Sequence, residues 1–172
     1  MIRRISVFLL FLLFLAGFFI TCLPYINELV FQMQMKETVS DFQQIRDSQS
    51  PKSGLEDAKS VFEFVPSIYP ELWKAISEYN RGLYESGQEG IHGLRNLEES
   101  CFTLSSYGVE SDAFGVLSIP TLGLEMPIYL GASSYNMSLG AAQLGQTSIP
   151  IGGVNTNSVI AGHRGWNGAD YF

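Results

Sequence analysis

Hydrophobic positions along this 172-residue chain fall into three textures. From Ile5 to Leu23 they are continuous: Ser6 and Thr21 are the only polar residues, and there is no charge. At about 1.5 Å of rise per residue, a helix of that length covers roughly the 30 Å of a bilayer's hydrocarbon. The pattern therefore predicts a transmembrane anchor over residues 5–23. A cleaved signal peptide is the competing reading, but bulky Phe18, Phe19 and Ile20 stand where a small-residue cleavage site would be needed. The same bulk argues against Cys22 as a lipid-attachment cysteine. Arg3 and Arg4 precede the apolar run, so the N-terminus is expected in the cytoplasm and the rest of the chain outside, in a single-pass arrangement at the cell membrane.

The second texture is helical. Past Pro24, the residues Ile26, Leu29, Val30, Met33, Val39 and Phe42 recur near helical spacing among Asn27, Glu28, Gln32, Gln34, Lys36 and Asp41, which predicts an amphipathic helix continuing from the span. Its apolar stripe is short for a dimer seam, so packing on its own domain is the favoured use. Ser48 to Gly54 is rich in breakers and reads as a linker. Pro70-Glu71 opens a second helix, with proline in the first turn and a carboxylate near the positive end of the dipole. Leu72, Ile76, Tyr79 and Leu83 form its apolar face, and Gly87 to Gly90 end it. Ile91 to Ser111 has no clean period and reads as a long ordered loop or short helix, a connector or a lid-like element.

The third texture is short and strand-like. Val116, Leu117, Ile119 and then Met126, Ile128, Tyr129 form two apolar runs around Thr121-Leu122-Gly123, predicting two strands with a tight connection and prolines at the run ends. Ser138 to Leu144 is expected to be a short helix. Pro150, Gly152, Gly153 and Asn155 gather in a turn, and Ser158 to Ala161 form a short buried strand running into Gly162-His163-Arg164-Gly165. Three or four strands are expected in all.

Charge narrows the function. With Arg3 and Arg4 set aside, 8 basic residues face 17 acidic ones outside the span, which disfavours nucleic acid as a partner. The two cysteines and two histidines, His92 and His163, show no metal-ligand spacing, so neither a metal nor a cofactor is expected. Cys22 and Cys101 lie too far apart in organisation for a structural disulfide. Cys101 follows Glu98, Glu99 and Ser100, and acidic neighbours hold a thiol protonated, so it is not expected to be a nucleophile. His163 stands at a strand end between glycines, where a rigid element can present an imidazole to a cleft. Placement alone leaves open whether it is catalytic or a structural or surface histidine.

The order of these segments resembles the sortases, and among them the pilus-assembling class C group. Phe114-Gly-Val-Leu-Ser-Ile-Pro120 is similar to that family's first barrel strand, Leu124-Glu-Met-Pro-Ile-Tyr129 to its second, and Leu139-Gly-Ala-Ala142 to its short helix. Thr147 to Gly153 followed by Asn155 to Gly165 resembles the segment that carries the catalytic histidine. Leu72 to Leu83, with Ala75 and Glu78-Tyr79-Asn80, resembles the second helix preceding the class C barrel.

The resemblance implies an eight-stranded barrel with cysteine transpeptidase activity, in which a Leu-Pro-x-Thr-Gly-like sorting signal is cut and joined to an amine on another pilin. Its partners would be pilins or surface proteins bearing that signal, and His163 would be the catalytic histidine. Such chemistry needs a thiolate to attack, an imidazolium to protonate the departing amine, and an arginine to hold the oxyanion. In the family the cysteine and arginine follow the histidine by tens of residues, whereas 9 residues follow His163 here. Arg164 points differently from its neighbour and Cys101 precedes the barrel, so neither takes those roles. The lid motif is echoed only by Asp112-Ala113-Phe114, without its proline.

The expected architecture is therefore mainly β with N-terminal helices, the first half of a sortase barrel. Residues 1–4 would be cytoplasmic, 5–23 the anchor, 24–110 a helical pair with a lid-like region, and 111–172 the truncated barrel, inactive alone. The alternatives are a non-catalytic membrane-anchored scaffold of surface-protein assembly and a sortase of another class that anchors proteins to the wall.

Overall fold

The computed structural model describes residues 2–49, 69–87 and 98–163. The Ser48–Gly54 linker, most of the way to Pro70, the first part of the Ile91–Ser111 segment and Arg164 onward lie outside the described residues in whole or large part.

Helix α1 runs from Ile2 to Gln49 as one 48-residue helix with Pro24 inside it. The apolar span and the amphipathic stretch are thus a single rod, and residues 6 onward are long and apolar enough to cross a membrane. The face that α1 buries shares Val39 with the expected stripe but not its first four residues. Phe31, Met35 and Val39 are the buried residues, whereas Ile26, Leu29, Val30 and Met33 are 48%, 61%, 45% and 62% exposed. Both sets have helical spacing, and only the position of the sheet decides which one faces it.

Helix α2, Pro70–Glu85, begins at its proline and buries Leu72, Ile76 and Asn80. Tyr79 packs against the same core. Ser86 and Gly87 close the helix: their N–H groups bond the carbonyls of Gly82 and Tyr84, with Gly87 at φ 63°.

Four strands form one mixed sheet in the order β1-β2-β3-β4. β1 (Gly115–Ile119) and β2 (Leu124–Leu130) make the expected antiparallel hairpin, in register from Gly115↔Ile128 to Ile119↔Leu124. A single 3₁₀ turn, Pro120–Leu122, and Gly123 at φ 62° connect them. Pro127 lies inside β2 rather than at its end, opposite Val116. The carbonyl of Ile128 accepts from Phe114 on the β1 side, so by antiparallel alternation the backbone of Pro127 faces the other way. On that side β3 begins pairing only at Ile128, so no ladder bond is lost.

The expected helix over Ser138–Leu144 divides differently. Helix α3 is Ser134–Leu139, capped by the Ser133 hydroxyl, which accepts from the Asn136 N–H. Ala141–Gln143 is strand β3, parallel to β2, with α3 as the crossover between them. Gly140 marks the switch because a Cβ there would stand 2.6 Å from the Pro127 carbonyl oxygen. Only glycine lets the two backbones come that close.

β4 is also shorter than the expected strand: Ile160–Ala161, half-buried, antiparallel to β3. Among the described residues helices of 48, 16 and 6 residues outweigh strands of 5, 7, 3 and 2, so this chain is more helical than β. The long helix α1 accounts for most of the excess.

Two apolar clusters hold these parts together. Phe31 and Met35 of α1 meet Met126, Ile128 and Ala141 of the sheet. Leu72 and Ile76 of α2 meet Leu104, Leu130, Ile149 and Ile151. β2 supplies both, and is buried from Met126 to Leu130.

Candidate functional site

His163 lies two residues past β4, half-buried. The antiparallel register pairs Ala142 with Ala161, so continued by two residues it carries His163 toward Gly140, the glycine pressed against Pro127. Arg164 is outside the described residues.

The segment leading to the histidine is held by the turn that precedes it. Leu144 donates its N–H to the Val159 carbonyl at 2.9 Å, and Ser148 to the Asn157 carbonyl at 3.0 Å. The Ser148 and Thr147 hydroxyls accept from the N–H groups of Asn157 and Val159. Gln143 donates from Nε2 to the carbonyl and hydroxyl of Thr147 at 3.0 and 3.1 Å. Thr147, Ser148 and Gln143 are all buried, as hydrogen-bonded polar groups can be. Gln146 and Asn155 take left-handed backbone, at φ 61° each, and Gly152 and Gly153 lie at 76° and 114°. The chain therefore turns back on itself where glycine and asparagine make the turn cheap.

Helix α2 is tied to the same turn by Asn80. Its side chain donates to the Ile149 carbonyl at 3.1 Å and accepts the Ile149 N–H at 2.8 Å. An amide side chain thus serves one residue of a loop as a strand partner would. The two buried side-chain oxygens without a hydrogen-bond partner among the described residues, Gln143 Oε1 and Gln146 Oε1, belong to this turn as well. Unsatisfied buried acceptors are uncommon, and Gln143 is paired with Ile160 of the strand that leads to the histidine.

Cys101 lies apart from this arrangement in its bonding. It is exposed, and its thiol is hydrogen-bonded with the Tyr79 hydroxyl. Burial chiefly, then that bond and the charge on Cys101, push the Tyr79 phenol well above its ordinary value. Phe102 meets the Tyr79 ring edge-on at 5.5 Å between centroids. The described part of the lid-like segment is thereby packed on α2, through Leu104 in a 3₁₀ turn, Leu104–Tyr107.

Several clefts adjoin the frame. One of about 270 Å³ lies between Trp73, Asn80, Arg81 and Tyr84 of α2 and the Gly152–Thr156 loop. Another, about 440 Å³, lies between α1 and the β1–β2 turn. A further one, about 400 Å³, lies between α1, Trp73, β1 and Pro150–Ile151, and none of the three is lined by His163. Among the described residues no group of three or more His, Cys, Asp or Glu is placed to hold a metal ion.

Of the sequence-derived site residues, the structure places His163 at the end of a sheet strand, positions Cys101 against Tyr79 of α2, and does not reach Arg164. The supporting residue Gln143 had no motif to announce it, whereas Thr147 opens the segment that resembles the histidine-bearing stretch of the sortases. Asn80 had one weak signal, a polar residue in register with Leu72 and Ile76 on a buried face.

The fold is that of solved class C sortases. A sortase C1 of GBS pilus island 1 superposes with a TM-score of 0.57 over 80% of this chain and 62% of its own, at 21% identity. Sortase C from Streptococcus pneumoniae gives 0.52 over 79% and 60%, at 24% identity. Sortase C1 from Streptococcus agalactiae gives 0.52 over 77% and 60%, at 20% identity. This chain spans about 60% of the length of these structures. No protein-family model and no curated protein matches it.

Proposed function

We propose that the chain provides the histidine-bearing half of a membrane-anchored class C sortase, a cysteine transpeptidase that joins pilin subunits at a Leu-Pro-x-Thr-Gly-like sorting signal. The observation that carries this reading is the shared fold over 80% of the chain, including the sheet whose last described strand leads into His163. Residues 5–23 serve as the single-pass anchor with the N-terminus in the cytoplasm, 24–110 as the helical pair with its lid-like region, and 111–172 as the first half of an eight-stranded barrel.

In this role the imidazole of His163, as its cation, protonates the amine that departs when a thiolate attacks the Thr carbonyl of the signal. The reaction also needs a thiolate and an arginine that holds the oxyanion, roles that the resemblance gives to neither Cys101 nor Arg164. The acyl fragment is then passed to an amine on the next pilin.

A two-part assay tests this. The chain alone is expected to leave a fluorogenic sorting-signal peptide uncut. Adding a separate polypeptide that carries the later strands of a class C sortase, with its cysteine and arginine, is expected to restore cleavage that His163→Ala removes. Cleavage that survives His163→Ala would overturn the assignment of the histidine. A stable complex without cleavage would favour a non-catalytic scaffold that holds surface proteins at the membrane.

A further inference from the structure

Helix α1 carries two apolar faces outside the span, and the sheet uses one. On a wheel of about 100° per residue, the buried Phe31, Met35 and Val39 are centred opposite Ile26, Leu29, Val30 and Met33. The second set spans about 100° of arc, all four residues are exposed, and polar Asn27, Gln32 and Gln34 flank them. We propose that this stripe is the seam of a parallel pair formed with a second copy of the same chain, continued through the span along Phe8, Leu12, Leu15, Phe19 and Cys22.

Three features of the helix select that occupant. The positions from Phe8 to Met33 alternate by four and three residues without interruption, the a/d spacing of two-stranded helical packing. Inside the lipid this spacing has no force, because every neighbour is apolar, but Ile26 to Met33 lie past the span, where water drives burial. The helix is unbroken through Pro24, so it leaves the membrane along its own axis and Met33 stands about 15 Å beyond Leu23, out of reach of the hydrocarbon. A bilayer therefore does not cover the stripe, whereas a second copy inserted with the same orientation meets it in register.

Charge complementarity supports the same pairing. Lys36 and Glu37, both exposed, follow the stripe and enter no ion pair among the described residues. In a parallel two-fold pair, Lys36 of one chain faces Glu37 of the other, an arrangement that sets register more than strength. Pro24 falls on the opposite side of the helix from the stripe, so its missing N–H does not disturb the seam.

The test uses the full chain in phosphatidylcholine and phosphatidylglycerol vesicles, with Cys101→Ser leaving Cys22 as the one thiol. Copper(II) phenanthroline, which takes two electrons as two thiols lose their protons, is expected to yield a Cys22-linked dimer. With Cys22→Ser added, Leu29→Cys and Met33→Cys are expected to cross-link several-fold more than Asn27→Cys and Gln34→Cys. Met33→Glu and the milder Met33→Gln are expected to lower Cys22 cross-linking several-fold with an unchanged circular dichroism spectrum. Equal cross-linking at all four positions, or none at any, overturns the proposal. So does a dye on Met33→Cys that is quenched by lipid-borne quenchers, which would assign the stripe to the bilayer.

Discussion

At the scale of single residues, Asn80 and Tyr79 make the clearest demands. Asn80 is 4% exposed and holds both backbone groups of Ile149. Asn80→Ala leaves that N–H and C=O buried without partners, a loss of about 2–4 kcal/mol that urea denaturation would register as a lower midpoint at unchanged slope. Asn80→Asp keeps the acceptor but sets a buried carboxylate against the Ile149 carbonyl, and near neutral pH it is expected to lose at least as much. Tyr79 and Tyr129 both have phenols raised above the ordinary value of 10.0, in each case chiefly by burial. For Tyr129 a hydrogen bond from Thr38 of α1 works against the rise, and Asp112 and Tyr135 add to it. The folded state keeps these protons at pH values where the unfolded chain releases them, so stability is fully present below pH 10 and falls as pH rises above it. An alkaline titration followed at the tyrosinate absorbance is expected to show a late component that disappears in the Tyr79→Phe, Tyr129→Phe double variant.

At the scale of elements, the Gly140 contact decides whether β3 can lie beside β2. Gly140→Ala drives a Cβ into the Pro127 carbonyl and is expected to cost about 1–3 kcal/mol, read from thermal unfolding. Gly82, inside α2 with open space around its Cβ position, gives the opposite sign: Gly82→Ala is expected to stabilise by about 0.5–1 kcal/mol. The elements with a strong local signal were legible in the sequence. α2 begins at Pro70 because proline suits a first turn, and the β1–β2 hairpin follows from two apolar runs around a glycine turn. The α3–β3 boundary was not legible: Leu139, Ala141, Ala142 and Leu144 fit a helical period, and only contact with Pro127 ends the helix at Leu139.

At the scale of the whole molecule, α1 couples its apolar N-terminal part to the sheet through Phe31 and Met35. Met35 is 2% exposed among Phe31, Met126, Ile128 and Ala141, so Met35→Ala is expected to destabilise by about 2–5 kcal/mol. That loss would appear as loosened packing between rod and sheet, measured as faster amide exchange in β2 with the helical circular dichroism signal unchanged. Among the described residues β4 stands at one side of the sheet, with two residues paired to β3 and no strand on its outer side, an edge that a further strand can extend. The same edge explains why completion of the sheet is the natural readout of the proposed function.

Patterns between near neighbours in the chain specify the long apolar helix, the first hairpin, the glycine-rich turn and the short strand just before His163. Tertiary structure decided what depends on distant ones. Which of two apolar faces α1 buries is set by where the sheet lies, since Ile26–Met33 and Phe31–Val39 are equally well spaced. The strand at Ala141 exists because β2 offers its free side from Ile128 onward. The turn before His163 is held by Asn80, 69 residues earlier in the chain, and no local pattern can specify a hydrogen bond across that distance.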